Sequence, residues 1–279
     1  MLRFSALLVC LLTVSSGLPA QAQGLLWNLP EDGTQIKVEG TYEQTIFRPQ
    51  STQGNLELSW LRHMTIRSVG KKDAEYKGEM QPCRWIEIKV QTGSQSADGV
   101  ATGSVGERIY RVLVPESVIR GSVNDPEGLP VSYIPIVEGY RKTNDRDLTP
   151  KPINSKVLQI YPIISLIRHY KTMTESDIEQ TVQIGAMDVV AKELTGQLVQ
   201  ESSTRRFTHK TTLLRSDQVP FGLAQWEVQI NEERKADVQT RDEFQPVSEV
   251  KVKMSVRQIE KDAKAELIIE ANNLSLIHI

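Results

Sequence analysis

The sequence predicts an α+β fold: an antiparallel sheet with one buried face, covered on that face by two or three short helices. Three observations predict it. Several segments alternate apolar and polar residues with the two-residue period of a half-buried strand. Two mid-chain segments carry helical spacing or a capping signature. Those segments lie between two sets of strands, an order that suggests helices gathered on one face of a curved sheet.

The strands come first. Ile36, Val38, Tyr42 and Ile46 alternate with Lys37, Glu39, Thr41, Glu43 and Thr45. Leu56, Leu58, Trp60, Met64 and Ile66 repeat the pattern, broken only at Arg62. Ile86, Ile88 and Val90 form a shorter run. A Pro-Phe-Gly turn at 220–222 leads into Ala224, Trp226, Val228 and Ile230, with Gln225, Glu227 and Gln229 between them. Val250, Val252, Met254 and Val256 close the set. Parallel strands buried on both faces would read instead as continuous apolar runs.

Helices are expected at two places. In LQIYPIISLIRHYK (158–171), Ile160, Ile164 and Ile167 fall at helical spacing, and Pro162 suits a helix start. In TESDIEQTVQ (174–183), Thr174 as N-cap with Asp177 three residues on resembles a capping box. The Gly/Ser/Ala-rich stretch 92–107 reads as a mobile loop or a long hairpin connection, and NDPEGLP (124–130) and KTNDRDLTPKP (142–152) as turns.

The chain opens with Arg3, an apolar run from Phe4 to Val14, and Ala20-Gln21-Ala22. This is the pattern of a secretory signal peptide over 1–22, cleaved after Ala22, whose apolar run is too short to span a bilayer. Cys10 sits inside that run, which argues against lipidation. The mature chain would hold Cys83 as its single cysteine, so no internal disulfide is expected. At the other end, the codons CTG TCT CTT ATA CAC ATC of a transposase sequencing-library adapter encode Leu274 to Ile279. Residues 274–279 are therefore expected to be non-native, and with them fall the glycosylation pattern at Asn273 and the ligand candidate His278. Residues 23–273 are expected to form one domain.

The formal net charge of -2 carries no electrostatic footprint for nucleic acid. Hydrophobic content of 39% with 24% charged residues is that of a folded domain, not a disordered one. No transmembrane segment is expected once the signal peptide is removed.

Candidate chemistry is sparse. His63, His169 and His209 occur singly, without metal-site spacing. Cys83 has no neighbouring His, and partial burial beside Trp85 is its expected state. Arg205, Arg206 and Lys210 form a basic cluster that either meets a lipid headgroup or is a solvated strand face. The polar run 231–244 reads as a solvated hairpin. No nucleophile or phosphate-loop motif appears. The expectation is no catalytic residue, no cofactor, no metal and no enzymatic activity, a hydrolase assembled from scattered residues being the distant alternative.

The segments WIEIKV, ERIYRVLVPES, IYPIISLIRHY, RSDQVPFGLAQWEV and SEVKVKMSV, taken in order, resemble the lipoprotein-carrier half-barrels of bacterial envelopes and their secreted relatives. That resemblance implies a strongly curved antiparallel half-barrel wrapped around helices, a periplasmic or secreted location, and a lipid or lipoprotein acyl chain as ligand. Trp60, Ile164, Ile167, Trp226 and Val228 would then line an apolar ligand site. The same stripe more often packs a dry core of helix on sheet, which would leave a structural or interaction module of the envelope with another envelope protein as partner.

Overall fold

The computed structural model describes residues 24–269 except 98, 105, 120–131, 162 and 171–172, and the side chain at 145. The expected signal peptide with its cleavage site, the 124–130 turn, Pro162 and the tail 274–279 lie outside the described residues.

The strands, in chain order, are β1 (Gln35–Ile46), β2 (Leu56–Tyr76), β3 (Glu79–Ser96), β4 (Gly99–Ala101), β5 (Glu107–Pro115), β6 (Tyr133–Pro135), β7 (Glu138–Lys142), β8 (Lys151–Pro152), β9 (Val157–Gln159), β10 (Met173–Ile184), β11 (Met187–Glu201), β12 (Arg205–Arg215), β13 (Leu223–Arg234) and β14 (Gln245–Glu260). All but β6 and β9 belong to one twelve-stranded sheet, ordered β10-β11-β12-β13-β14-β1-β2-β3-β5-β7-β8, with β4 paired to β3. Every pairing is antiparallel. The sheet is thus two meanders, β1 to β8 and β10 to β14, joined where β1 pairs with β14.

This corrects the expected α+β half-barrel. The sheet is open, with β10 and β8 at its edges, and it does not wrap around helices. Among the described residues the helical elements are three single 3-10 turns, Glu116–Val118, Asn144–Arg146 and Arg241–Glu243. Neither expected helix forms. At 158–171 one turn closes, the N–H groups of Ile164 and Ser165 both donating to the Ile160 carbonyl (3.1 and 3.0 Å). Leu166 then adopts a left-handed conformation (φ 60°) that stops helix propagation. The apolar spacing is used by an irregular strap, which buries Ile160, Ile164, Leu166, Ile167 and Tyr170. At 174–183 the chain is edge strand β10, paired only with β11 and bulged between Glu175 and Glu179. Ile178, Thr181, Val182 and Ile184 are β-branched and favour that state, and a bulge with Glu175 and Glu179 beside it blunts an exposed edge.

The strap and Leu25-Leu26-Trp27 cover one face of the sheet. Under them lie Ile36, Val38, Met64, Ile66, Ile86, Ile88 and Val112 from the first meander, and Leu194, Leu213, Trp226, Val228, Val252, Met254 and Val256 from the second, in one cluster. Both meanders therefore share a core. The 92–107 stretch is a hairpin connection, with β3 and β4 pairing at Ser94 to Ser96.

Two features fix irregular chain onto the sheet, one on each face. The Trp27 N–H donates to the Phe221 carbonyl (2.9 Å), and a Cβ on Gly222 would come within 2.5 Å of the Trp27 Cβ. Gly222 has φ 89°, so the corner before β13 needs glycine for both backbone and space. On the opposite face Glu87, 0% exposed, accepts from the N–H groups of Glu266 (3.0 and 3.1 Å) and Leu267 (2.9 Å) and from Arg67 (2.6 Å). The Arg111 guanidinium returns a bond to the Leu267 carbonyl (2.9 Å). This carboxylate clamps the chain after β14 across β2, β3 and β5.

Gly222→Ala is expected to destabilise the fold by about 2–4 kcal/mol in urea unfolding, through strain plus displacement of Trp27. Glu87→Ala strips two amides of their acceptor and leaves Arg67 only Glu266 and Gln35. Hydrogen exchange at Glu266 and Leu267 should then rise to rates of exposed chain while the amides of β12 and β13 stay protected. Unchanged exchange would mean that other contacts hold the segment.

Candidate functional site

The antiparallel register assembles side chains from distant strands into rows. One row runs Trp60, Tyr42, Val252, Val228, Thr211, Gly196. The next runs Arg62, Gly40, Met254, Trp226, Leu213, Leu194. Of the five residues expected to line a ligand site, Trp226, Val228, Ile164 and Ile167 are brought together in the core. Trp226 is 1% exposed, and its indole N–H donates to the Ser165 carbonyl (3.2 Å), pinning the strap to the sheet. Trp60 stays half-buried at the margin, its ring edge-on to Tyr42 with centroids 5.4 Å apart.

Past this row the cover ends. Leu58, Val250, Ile230 and Leu198 form the following row with Gln44 and His209, and then come Leu56, Ile46 and Phe207. Their apolar members are half-buried rather than sealed. Two polar clusters border this open end.

The first hangs from the strap. The Arg168 guanidinium lies 3.6 Å from the Tyr161 ring centre, and Tyr161 meets His209 edge-on at 6.1 Å. His209 is 1% exposed and its Nδ1 has no partner. Burial, with the Arg168 charge adding to it, lowers its pKa to about 4, so the ring is neutral at neutral pH.

The second cluster is built on β2, β3 and β5. A depression of about 490 Å3 is lined by Trp60, Arg62, Thr92, Ser94, Thr102 and Arg108, among others. Arg62 donates through Nε to the Thr92 hydroxyl (3.2 Å) and lies 5.5 Å from the Tyr42 ring centre. Its Nη1 is buried without a partner. Burial lowers the Arg62 pKa; Tyr42 opposes the shift and the Arg108 charge adds to it. A second depression of about 390 Å3, between β10, β11 and the loop after β12, has both its cations paired, Lys192 with Glu175 (3.2 Å) and Arg215 with Asp217 (3.1 Å).

Of the remaining sequence candidates, His169 is half-buried on the strap. Cys83 is fully buried with Ala74 and Leu113 against Trp85, and burial raises its thiol pKa. Arg206 is paired with Glu233 (2.7 Å) and lies over Phe244, while Arg205 and Lys210 are exposed, as on a solvated strand face. His63 is half-buried on the face opposite Met64. The 231–244 run is the expected hairpin between β13 and β14. Among the described residues no group of three or more His, Cys, Asp or Glu side chains is arranged to hold a metal ion. Nor is any helix among them long and apolar enough to cross a membrane.

A scan of protein-family models and a search of curated proteins each found no match to this chain. Sequence reading singled out Trp60 but passed over Arg62, Arg108, Tyr42, Tyr161 and Arg168 as site residues. One signal was present: Arg62 is the single charge among the alternating apolar positions from Leu56 to Ile66 of β2.

The His209 pKa is lower folded than its unfolded value near 6.5, so its contribution is complete above pH 6.5 and is lost as pH falls toward 4. Across that window wild-type stability should drop by at most about 3 kcal/mol more than that of His209→Gln. Parallel stability-pH curves for the two proteins would show that His209 does not titrate this way.

Proposed function

We propose that this chain is an exported, non-enzymatic module of the bacterial envelope whose core is filled by its own side chains and which works by surface contact. The observation that carries the reading is the state of the anticipated lining residues. Ile164, Ile167, Trp226 and Val228 make a dry layer between strap and sheet, closed by the Trp226–Ser165 hydrogen bond. A bound acyl chain would need that layer to open, at a cost near the burial of several large side chains. The half-buried rows from Trp60 to Phe207 are the part of the same face left for contact with another envelope protein.

Export rests on Arg3, the apolar run from Phe4 to Val14 and the small residues at 20–22. Placing cleavage after Ala22 leaves Leu25, Leu26 and Trp27 intact, and these are buried in the core. The carrier reading, in which a lipid or lipoprotein acyl chain is the partner, keeps only the motif order in its support.

Native mass spectrometry separates the two. The protein, exported to a bacterial periplasm and purified without detergent, is expected to show a clean apo mass and to gain none after incubation with fatty acids or phospholipids. A stoichiometric lipid adduct that organic extraction removes would overturn the filled-core reading.

A further inference from the structure

Two buried arginines on the covered face are treated very differently. Arg84, 4% exposed, donates to Glu116 (2.9 and 2.7 Å), the Pro30 carbonyl (2.7 Å) and the Ser68 hydroxyl (2.9 Å). Four of its five N–H donors are engaged, two of them by a carboxylate. Arg62, 7% exposed, has one neutral hydroxyl and the face of Tyr42, with Nη1 left over. Arg108, across β3 and half-buried, adds a second positive charge to the same depression. Among the described residues no carboxylate pairs with either arginine. Arg84 is matched by a carboxylate, whereas Arg62 keeps a buried donor without a partner and Arg108 beside it has no carboxylate among the described residues.

The geometry points to a binding site for a phosphate group at Arg62 and Arg108, with Thr92, Ser94 and Thr102 as hydroxyl partners and Trp60 as an apolar wall for whatever carries the phosphate. Two guanidinium groups and three hydroxyls offer more donors than the two oxygens of a carboxylate can accept, whereas a phosphate presents three or four oxygens. The depression is open and polar-rimmed, so the anion enters from solvent without disturbing the layer around Trp226. This inference goes beyond the filled-core reading and is independent of it: lipid in the core and phosphate at the rim are separate events with separate readouts.

The full mature protein is titrated with inorganic phosphate at constant ionic strength, chloride replacing it in the control, and followed by phosphorus NMR and thermal unfolding. Saturable broadening and a rise in Tm specific to phosphate are expected. Arg108→Gln, at a half-buried position, should weaken binding about tenfold or more with the Tm without phosphate unchanged, and Arg62→Gln at least as much. Flotation with phosphatidylglycerol against phosphatidylcholine vesicles distinguishes the source. Phosphatidylglycerol-specific binding lost in Arg108→Gln assigns the phosphate to a lipid headgroup, and phosphate binding without flotation assigns it to a free or small-molecule phosphate. Binding unchanged in Arg108→Gln, or no binding in either arm, overturns the site.

Discussion

The structure depends on the pairing of β1 with β14. Gln35 and Glu260 face each other there although they lie 225 residues apart, and the ladder continues to Ile46 and Ser248. Without it each meander would have one more unpaired edge and half a buried face. Closing so long a loop costs conformational entropy before any contact compensates. What offsets the cost is the cluster that forms only when both halves meet, from Ile36 and Met64 on one side to Trp226 and Val256 on the other. A regular antiparallel ladder also transmits register, so this junction decides which side chains share a row with Trp60 and which with Arg62.

Among the described residues an irregular strap, not a helix, covers this wide face. An irregular strap has few internal backbone bonds, so its polar groups must find partners in the sheet, as the Ser165 carbonyl does with Trp226. The strap reaches as far as Tyr170, which packs on the bare backbone of Gly196, where a Cβ would lie 2.8 Å from its ring. From that row on, the apolar face continues without cover. A filled layer and an open, half-buried end therefore coexist on one surface. The unequal treatment of Arg84 and Arg62 stands out on this face: one guanidinium is paired with a carboxylate, and the other keeps a buried nitrogen without a partner.

Much of the sheet was legible from its residues. The alternation around Ile36, Leu56, Ile86, Trp226 and Val252 located five strands, and the Pro-Phe-Gly corner located the start of β13. The two expected helices were not legible, because short β-branched apolar runs satisfy either period until their surroundings choose. For Ile164 and Ile167 the spacing predicted burial correctly and helix wrongly, since burial depends on what the face meets and not on the backbone that presents it. The TESDIEQTVQ segment carried a capping pattern that an edge strand with a bulge overrode.

The chain's local chemistry thus dictated an antiparallel, one-sided sheet, its turn at Gly222, a buried Cys83 and a solvated 231–244 hairpin, because period, turn residues and polarity act within a few positions of each other. Whether Trp226 lines a cavity or seals a core, whether Arg62 finds a carboxylate, and what covers the sheet were decided only by packing. Those outcomes hang on which side chains from β1, β3, β5, β14 and the strap arrive within a few ångströms, and no short-range pattern encodes that.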